Sequence, residues 1–138
     1  MRNSARAIII NNGKLLVMFR RRIDGDNKRE YYVIPGGGIE PNETPEQTVI
    51  RELKEEMCVD IKVKNFVGTG ETKDGVAYYY DCEILKGQKV SLGGEELEKQ
   101  SQTNYYEPMF IDVNNIQDLD LIGKEFVYQA LKNNETIK

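Results

Sequence analysis

The chain has 138 residues, 39% of them hydrophobic and 30% charged, with a formal net charge of −4 and no histidine. That length and balance suit a single domain over 1–138 with a real core, and no apolar run approaches membrane-spanning length. Without imidazole there is no Ser-His or Cys-His nucleophilic site and no His-bearing zinc centre, so any metal must be held by oxygen, which favours Mg²⁺, Mn²⁺ or Ca²⁺. The acidic balance argues against bulk nucleic-acid binding, with one basic cluster, Arg20-Arg21-Arg22, set against it.

The opening stretch, MRNSARAIIINNGKLLVMF, has apolar runs too short for a signal peptide, so the expected compartment is the cytoplasm. Asn11-Asn12-Gly13 separates ARAIII from KLLVMFR, and an Asn-Gly step between apolar runs predicts a β-hairpin with a tight primed turn. IDGDNKRE reads as a polar loop, and YYVI as a short strand ending at Pro35. Asp24-Gly25-Asp26 is no EF-hand, because the glycine that loop needs at its sixth position is missing.

From Thr44 the pattern becomes helical. Thr44 suits the N-cap, Pro45 the first helical position, and Gln47 completes a capping box. At about 100° per residue Val49, Ile50, Leu53 and Met57 share one face and are expected to pack inward. Glu52, Glu55 and Glu56 fall together on a neighbouring arc. Like charges three and four apart repel, and the C-terminal end of the helix dipole disfavours them further. Two readings stand: a solvated acidic face balanced by Arg51 and Lys54, or a carboxylate set whose repulsion a divalent cation reverses.

Further along, IKVKNFVGTG, VAYYYDCEILK and YYEPMFIDV read as strands, with Pro108 at an edge or bulge, and GKEFVYQALKN as a closing helix. SLGGEELEKQ reads as an acidic loop. Strands, helix, strands, helix make a mixed α/β or α+β domain. Cys58 and Cys82 lie far apart, form no CxxC, and are expected to be reduced, semi-buried packing residues.

Gly36-Gly37-Gly38 follows a strand and leads into the helix, a place where backbone can approach another group closely. Pro41 stands where a dinucleotide fingerprint needs its third glycine, and no Gly-Lys-Ser/Thr follows to make a P-loop. Taken together the pieces resemble the Nudix box, G-x5-E-x7-R-E-U-x-E-E-x-G-U with U aliphatic. Gly37 is followed by Glu43, then Arg51-Glu52-Leu53-Lys54-Glu55-Glu56, with Val59 as the last aliphatic. One position departs from it: Cys58 replaces the glycine, where a left-handed helix cap would cost a non-glycine residue on the order of 1 kcal/mol.

The resemblance implies an α/β/α sandwich with a mixed sheet, and hydrolysis of the phosphoanhydride in a nucleoside diphosphate linked to another moiety. It implies Glu52, Glu55 and Glu56 as ligands of Mg²⁺ or Mn²⁺ together with the Gly37 carbonyl, Glu43 and Arg51 as a structural pair, and a general base among the acids. Glu52 and Glu55 are the box candidates for that base. Glu96, on the loop after the later strands, is the candidate from outside the box. Arg6, Arg20, Arg22 and Gly38 are implied as substrate contacts, with a small-molecule nucleoside diphosphate derivative as partner and a homodimer left open. Specificity is expected in loops such as 70–76 and 91–104. A Nudix-fold isoprenoid isomerase would need histidine ligands, which are absent. A catalytically inactive nucleotide-binding or regulatory module would show a degraded set of acids, and this set is whole.

Overall fold

The computed structural model describes residues 2–137, the side chains of residues 95, 96 and 135–137 excepted. Seven strands, β1 (Ser4–Asn11), β2 (Lys14–Asp24), β3 (Asn27–Val33), β4 (Gly36–Gly38), β5 (Ile61–Glu71), β6 (Val76–Ile84) and β7 (Asn104–Asp112), form one sheet. Three helices, α1 (Pro45–Met57), α2 (Gly94–Lys99) and α3 (Lys124–Ile137), and a 3-10 turn at Val113–Asp118 complete the chain. The sheet is mixed: β1 runs parallel to β6, while every other strand pairing is antiparallel.

Two cores lie on opposite sides of the sheet. Ala5, Ala7, Ile9 and Leu16 pack with Val49, Leu53 and Met57 of α1. Ile8, Leu15, Val17 and Tyr79 pack with Val127 and Ala130 of α3. The alternation of β1 and β2 thus serves two layers at once, and the expected α/β/α sandwich is the architecture found.

Asn12 and Gly13 both have positive φ, 53° and 76°, as a primed hairpin turn demands. Yet β1 and β2 pair over only two rungs, Ile10 with Leu15 and Asn11 with Lys14. Beyond them β2 exchanges β1 for β3 on one edge, with β7 along its other edge from Lys14 onward, while β1 continues beside β6 and β4. This divergence opens the sheet at the end where the glycine turn and α1 meet.

Three sequence expectations need correction. The polar stretch 23–30 is the tip of a second hairpin: β2 and β3 stay paired out to Asp24 and Asn27, turning at Gly25 with φ 62°. The stretch 91–100 contains α2. Ile50 is 42% exposed, and Thr48 takes its place on the buried face of α1. Thr48 is admitted because its hydroxyl is satisfied, donating to Glu43 Oε1 at 2.6 Å. Burial of Val49, Leu53 and Met57 contributes about 1.5–3 kcal/mol each.

Candidate active site

The start of α1 follows its sequence. Gln47 N donates to Thr44 Oγ1 at 3.1 Å and Thr44 N to Gln47 Oε1 at 2.9 Å, the reciprocal capping box. The end of α1 is a left-handed cap at Cys58, φ 58° and ψ 33°, whose N–H reaches the Leu53 and Lys54 carbonyls. Residues after β6 finish the job: Gly93 N donates to Glu56 O at 2.8 Å and Ser91 N to Met57 O at 3.0 Å. Helix-end carbonyls that would be orphaned are satisfied by a distant loop, which also holds α2 against the acidic end of α1. Cys58 is exposed and Cys82 buried, so only the second belongs to the core.

Arg51 ties the box together. Its Nε and Nη2 donate to Glu43 Oε2 and Oε1 at 2.8 and 3.0 Å, a bidentate pair. Nη2 also reaches the Gly38 carbonyl at 3.1 Å, so Glu43, the glycine turn and α1 are joined through one guanidinium. The remaining nitrogen, Nη1, donates to Glu52 Oε1 at 2.9 Å and Glu55 Oε2 at 3.3 Å. Hydrogen bonds from Arg51, and next from Thr48, hold the Glu43 carboxyl well below its usual range, at about 2. The bond to Glu43 foremost, and after it the bond to Glu52, raise the Arg51 pKa against the opposing effect of burial.

The glycines of β4 differ in what they make room for. A Cβ at Gly36 would fall 2.0 Å from the Ala5 backbone oxygen, so this glycine lets β4 lie on β1. A Cβ at Gly37 would meet Glu52 Cδ at 2.4 Å, so this one lets a carboxylate lie against bare backbone. At Gly38 the space belongs to the Arg2 guanidinium, with Nη2 at 2.4 Å from such a Cβ.

These groups face a cleft of about 340 Å³. Glu52, Glu55, Glu56 and Arg51 line one wall, Pro35 to Gly38 and Glu40 the turn beside it, and Arg2, Arg6, Arg20 and Tyr106 the rest together with Met18 and Val33. Arg6 is anchored by its Nη1, which donates to Ile34 O at 3.2 Å. Arg22 is not in the cleft: it sits two residues beyond Arg20 on β2, opposite Arg29 and Asn104. Glu96 lies on α2, and its side chain falls outside the described residues. Arg2 was missed in the sequence, where only its even spacing from Arg6 hinted at a shared side.

Among the described residues no three acids are gathered closely enough to hold an ion, because Arg51 draws Glu52 and Glu55 to its Nη1. The donor chemistry still fits a hard divalent ion. The acids on this wall offer only oxygen, and Gly37 keeps backbone open beside Glu52. Glu43 alone occupies Nε, so Arg51 stays anchored when Glu52 and Glu55 turn toward a cation.

A sequence model of the NUDIX domain matches residues 1–121. The chain belongs to the Nudix family. An ADP-ribose pyrophosphatase of Methanocaldococcus jannaschii is 30% identical over 91% of this chain and 72% of its own length. An RNA pyrophosphohydrolase of Hydrogenovibrio crunogenus is 33% identical over 65% of this chain, which spans only 52% of that relative. In fold, the chain is similar to a MutT Nudix hydrolase from Burkholderia pseudomallei, with a TM-score of 0.68 at 18% identity over 93% of this chain and 96% of the other. This Nudix chain therefore keeps every charged position of the box, with Cys58 its single departure.

Proposed function

We propose that this Nudix domain hydrolyses the phosphoanhydride of a nucleoside diphosphate linked to another moiety, with Mg²⁺ or Mn²⁺ as cofactor. The observation that carries the reading is the complete set of box acids on α1, facing one cleft with the glycine turn and with the guanidiniums of Arg2 and Arg6.

Glu52, Glu55 and Glu56, with the Gly37 carbonyl, would hold the ion. When bound it supplies positive charge against the phosphate oxygens and makes a water acidic enough to attack at neutral pH. The chain's own groups do the rest. Arg2 and Arg6 donate hydrogen bonds to the diphosphate and, with Gly38 alongside, orient it across the cleft. A carboxylate of Glu52, Glu55 or Glu96 takes the proton of the attacking water as the new P–O bond forms and the bridging P–O bond breaks. Arg51 and Glu43 act through position. They keep α1 and the glycine turn in register, so that the acids on one and the backbone of the other stay on the same side of the cleft.

The test is a panel of nucleoside triphosphates, nucleotide sugars, ADP-ribose, dinucleoside polyphosphates and 5′-capped oligonucleotides, assayed for phosphate or mononucleotide release with Mg²⁺, with Mn²⁺ and with chelator. Metal-dependent release from at least one compound is expected. Absence of release from all of them would overturn the assignment.

A further inference from the structure

One end of the cleft has a chemistry the hydrolytic reading does not use. Arg20 on β2 stands in register with Tyr31 on β3 and Tyr106 on β7. Its Cζ lies 5.4 Å from the centre of the Tyr31 ring and 4.7 Å from that of Tyr106, so the guanidinium is held by aromatic contacts with both. Nη2 donates to Tyr106 Oη at 3.0 Å, and Asn104 Nδ2 donates to the same oxygen at 3.1 Å. With both lone pairs engaged, what Tyr106 has left to offer is its own O–H. Arg20 Nε is buried and without a partner among the described residues.

The two polar groups that line the cleft at this end, the Arg20 guanidinium and the Tyr106 hydroxyl, therefore have only donors left to offer, and Arg20 Nε is a buried donor with no acceptor, a costly state. The carboxylates of the cleft are those of Glu52, Glu55 and Glu56 on α1 and of Glu40 just after the glycine turn. Met18 and Val33 supply an apolar surface beside Arg20 on which a flat ring can lie. A planar ligand whose edge carries only acceptors satisfies this end, and one that presents an amine does not.

We propose that Arg20 reads the base of the nucleotide and selects a 6-oxopurine, guanine or hypoxanthine, over adenine. O6 and N7 of a 6-oxopurine are two adjacent acceptors that an arginine meets with two donors, whereas adenine places its N6 amine against the guanidinium. Arg20 turns its donors from the tyrosine rings to that edge, and the base takes the place of the missing acceptor. The proposal rests on the nucleotide-hydrolase reading above, because it assigns the far end of that same cleft to the base.

Calorimetric titration of the metal-free protein with GMP, IMP and AMP tests it without relying on turnover. The wild-type protein is expected to bind GMP and IMP about tenfold more tightly than AMP, and IMP isolates the O6–N7 edge from the 2-amino group. Arg20→Gln, whose amide suits the N6–N7 edge of adenine, is expected to move the ratio in favour of AMP. Tyr106→Phe, which removes the hydroxyl that holds Nη2, is expected to narrow the wild-type ratio. Equal affinities in the wild type, a preference for AMP, or no measurable binding at millimolar nucleotide would overturn the proposal. So would Arg20→Gln weakening all three alike, since that marks a phosphate contact. Metal-dependent hydrolysis with no base preference would remove this proposal and leave the hydrolase standing. A base preference in binding with no turnover on any compound would do the reverse.

Discussion

Arg51 and Glu43, eight residues apart, meet through two hydrogen bonds of 2.8 and 3.0 Å, and the same guanidinium reaches the Gly38 carbonyl. One pair thus fixes the glycine turn to α1. Arg51→Lys loses the fork that makes these contacts together, since an ammonium is a point donor. A loss of about 1–3 kcal/mol in stability is expected, read by urea unfolding, with a fall in turnover beyond what the unfolded fraction explains.

The pair also predicts a pH dependence. The Glu43 carboxyl titrates at about 2 in the folded chain against an ordinary 4.5, with the Arg51 hydrogen bond as the largest cause. A lowered pKa means that the folded state holds the ionised form more strongly than the unfolded chain does. The contribution is full above the ordinary value and is lost as pH falls from 4.5 toward 2. Glu43→Gln should flatten the stability curve in that window while lowering stability at neutral pH. An unchanged acid limb in a pH series of melting temperatures would contradict it.

Gly36 and Gly37 should respond differently to the same substitution. Gly36→Ala drives a methyl group into the Ala5 backbone, which has little freedom to retreat, so a large loss of melting temperature is expected. Gly37→Ala meets only the Glu52 carboxylate, the end of a flexible side chain. Its melting temperature should stay near wild type while the Mg²⁺ concentration for half-maximal activity rises. The comparison needs only a thermal scan and a metal titration of each variant.

Glu56→Gln keeps the shape of the side chain and removes its charge. Turnover should fall by orders of magnitude with folding nearly intact, and excess Mg²⁺ should recover only part of it. Near-wild-type rate would remove Glu56 from the metal site.

Cys58 holds a left-handed conformation at φ 58° that glycine adopts at lower cost. Cys58→Gly should raise stability by up to about 1 kcal/mol with turnover unchanged in sign and order. Cys58→Val, β-branched in the same conformation, should lower it. Melting temperatures that rank in any other order would show that the Cys58 sulfur, which packs against Gly93, matters more than the cap.

Local physics made much of this protein legible from its residues. Thr44 and Gln47 find each other as hydrogen-bond partners three positions apart and Pro45 has a φ already suited to the first helical turn, so the start of α1 could be read directly. Asn12-Gly13 specifies a primed turn by backbone sterics, and the spacing from Gly37 to Val59 carries the family because helix geometry turns spacing into a shared face. Cys58 stands at a helix end where a left-handed residue was due, and the cap is there.

What spacing along the chain could not determine depends on partners far away in sequence. Ile50 and Thr48 exchange places because Glu43 offers Thr48 an acceptor, a bond that helical periodicity does not include. Stretch 23–30 is paired because β3 lies beside β2, and pairing compensates for its polarity. Arg22 shares strand parity with Arg20, yet only Arg20 lies in the cleft. The pairing of β2 with β3 on one edge and β7 on the other brings Tyr31 and Tyr106 to either side of Arg20. Sequence alone determined the acids, the glycines and the helix that carries them. Tertiary structure alone decided which arginines face those acids, because the walls of a cleft are set by strands that meet across the sheet.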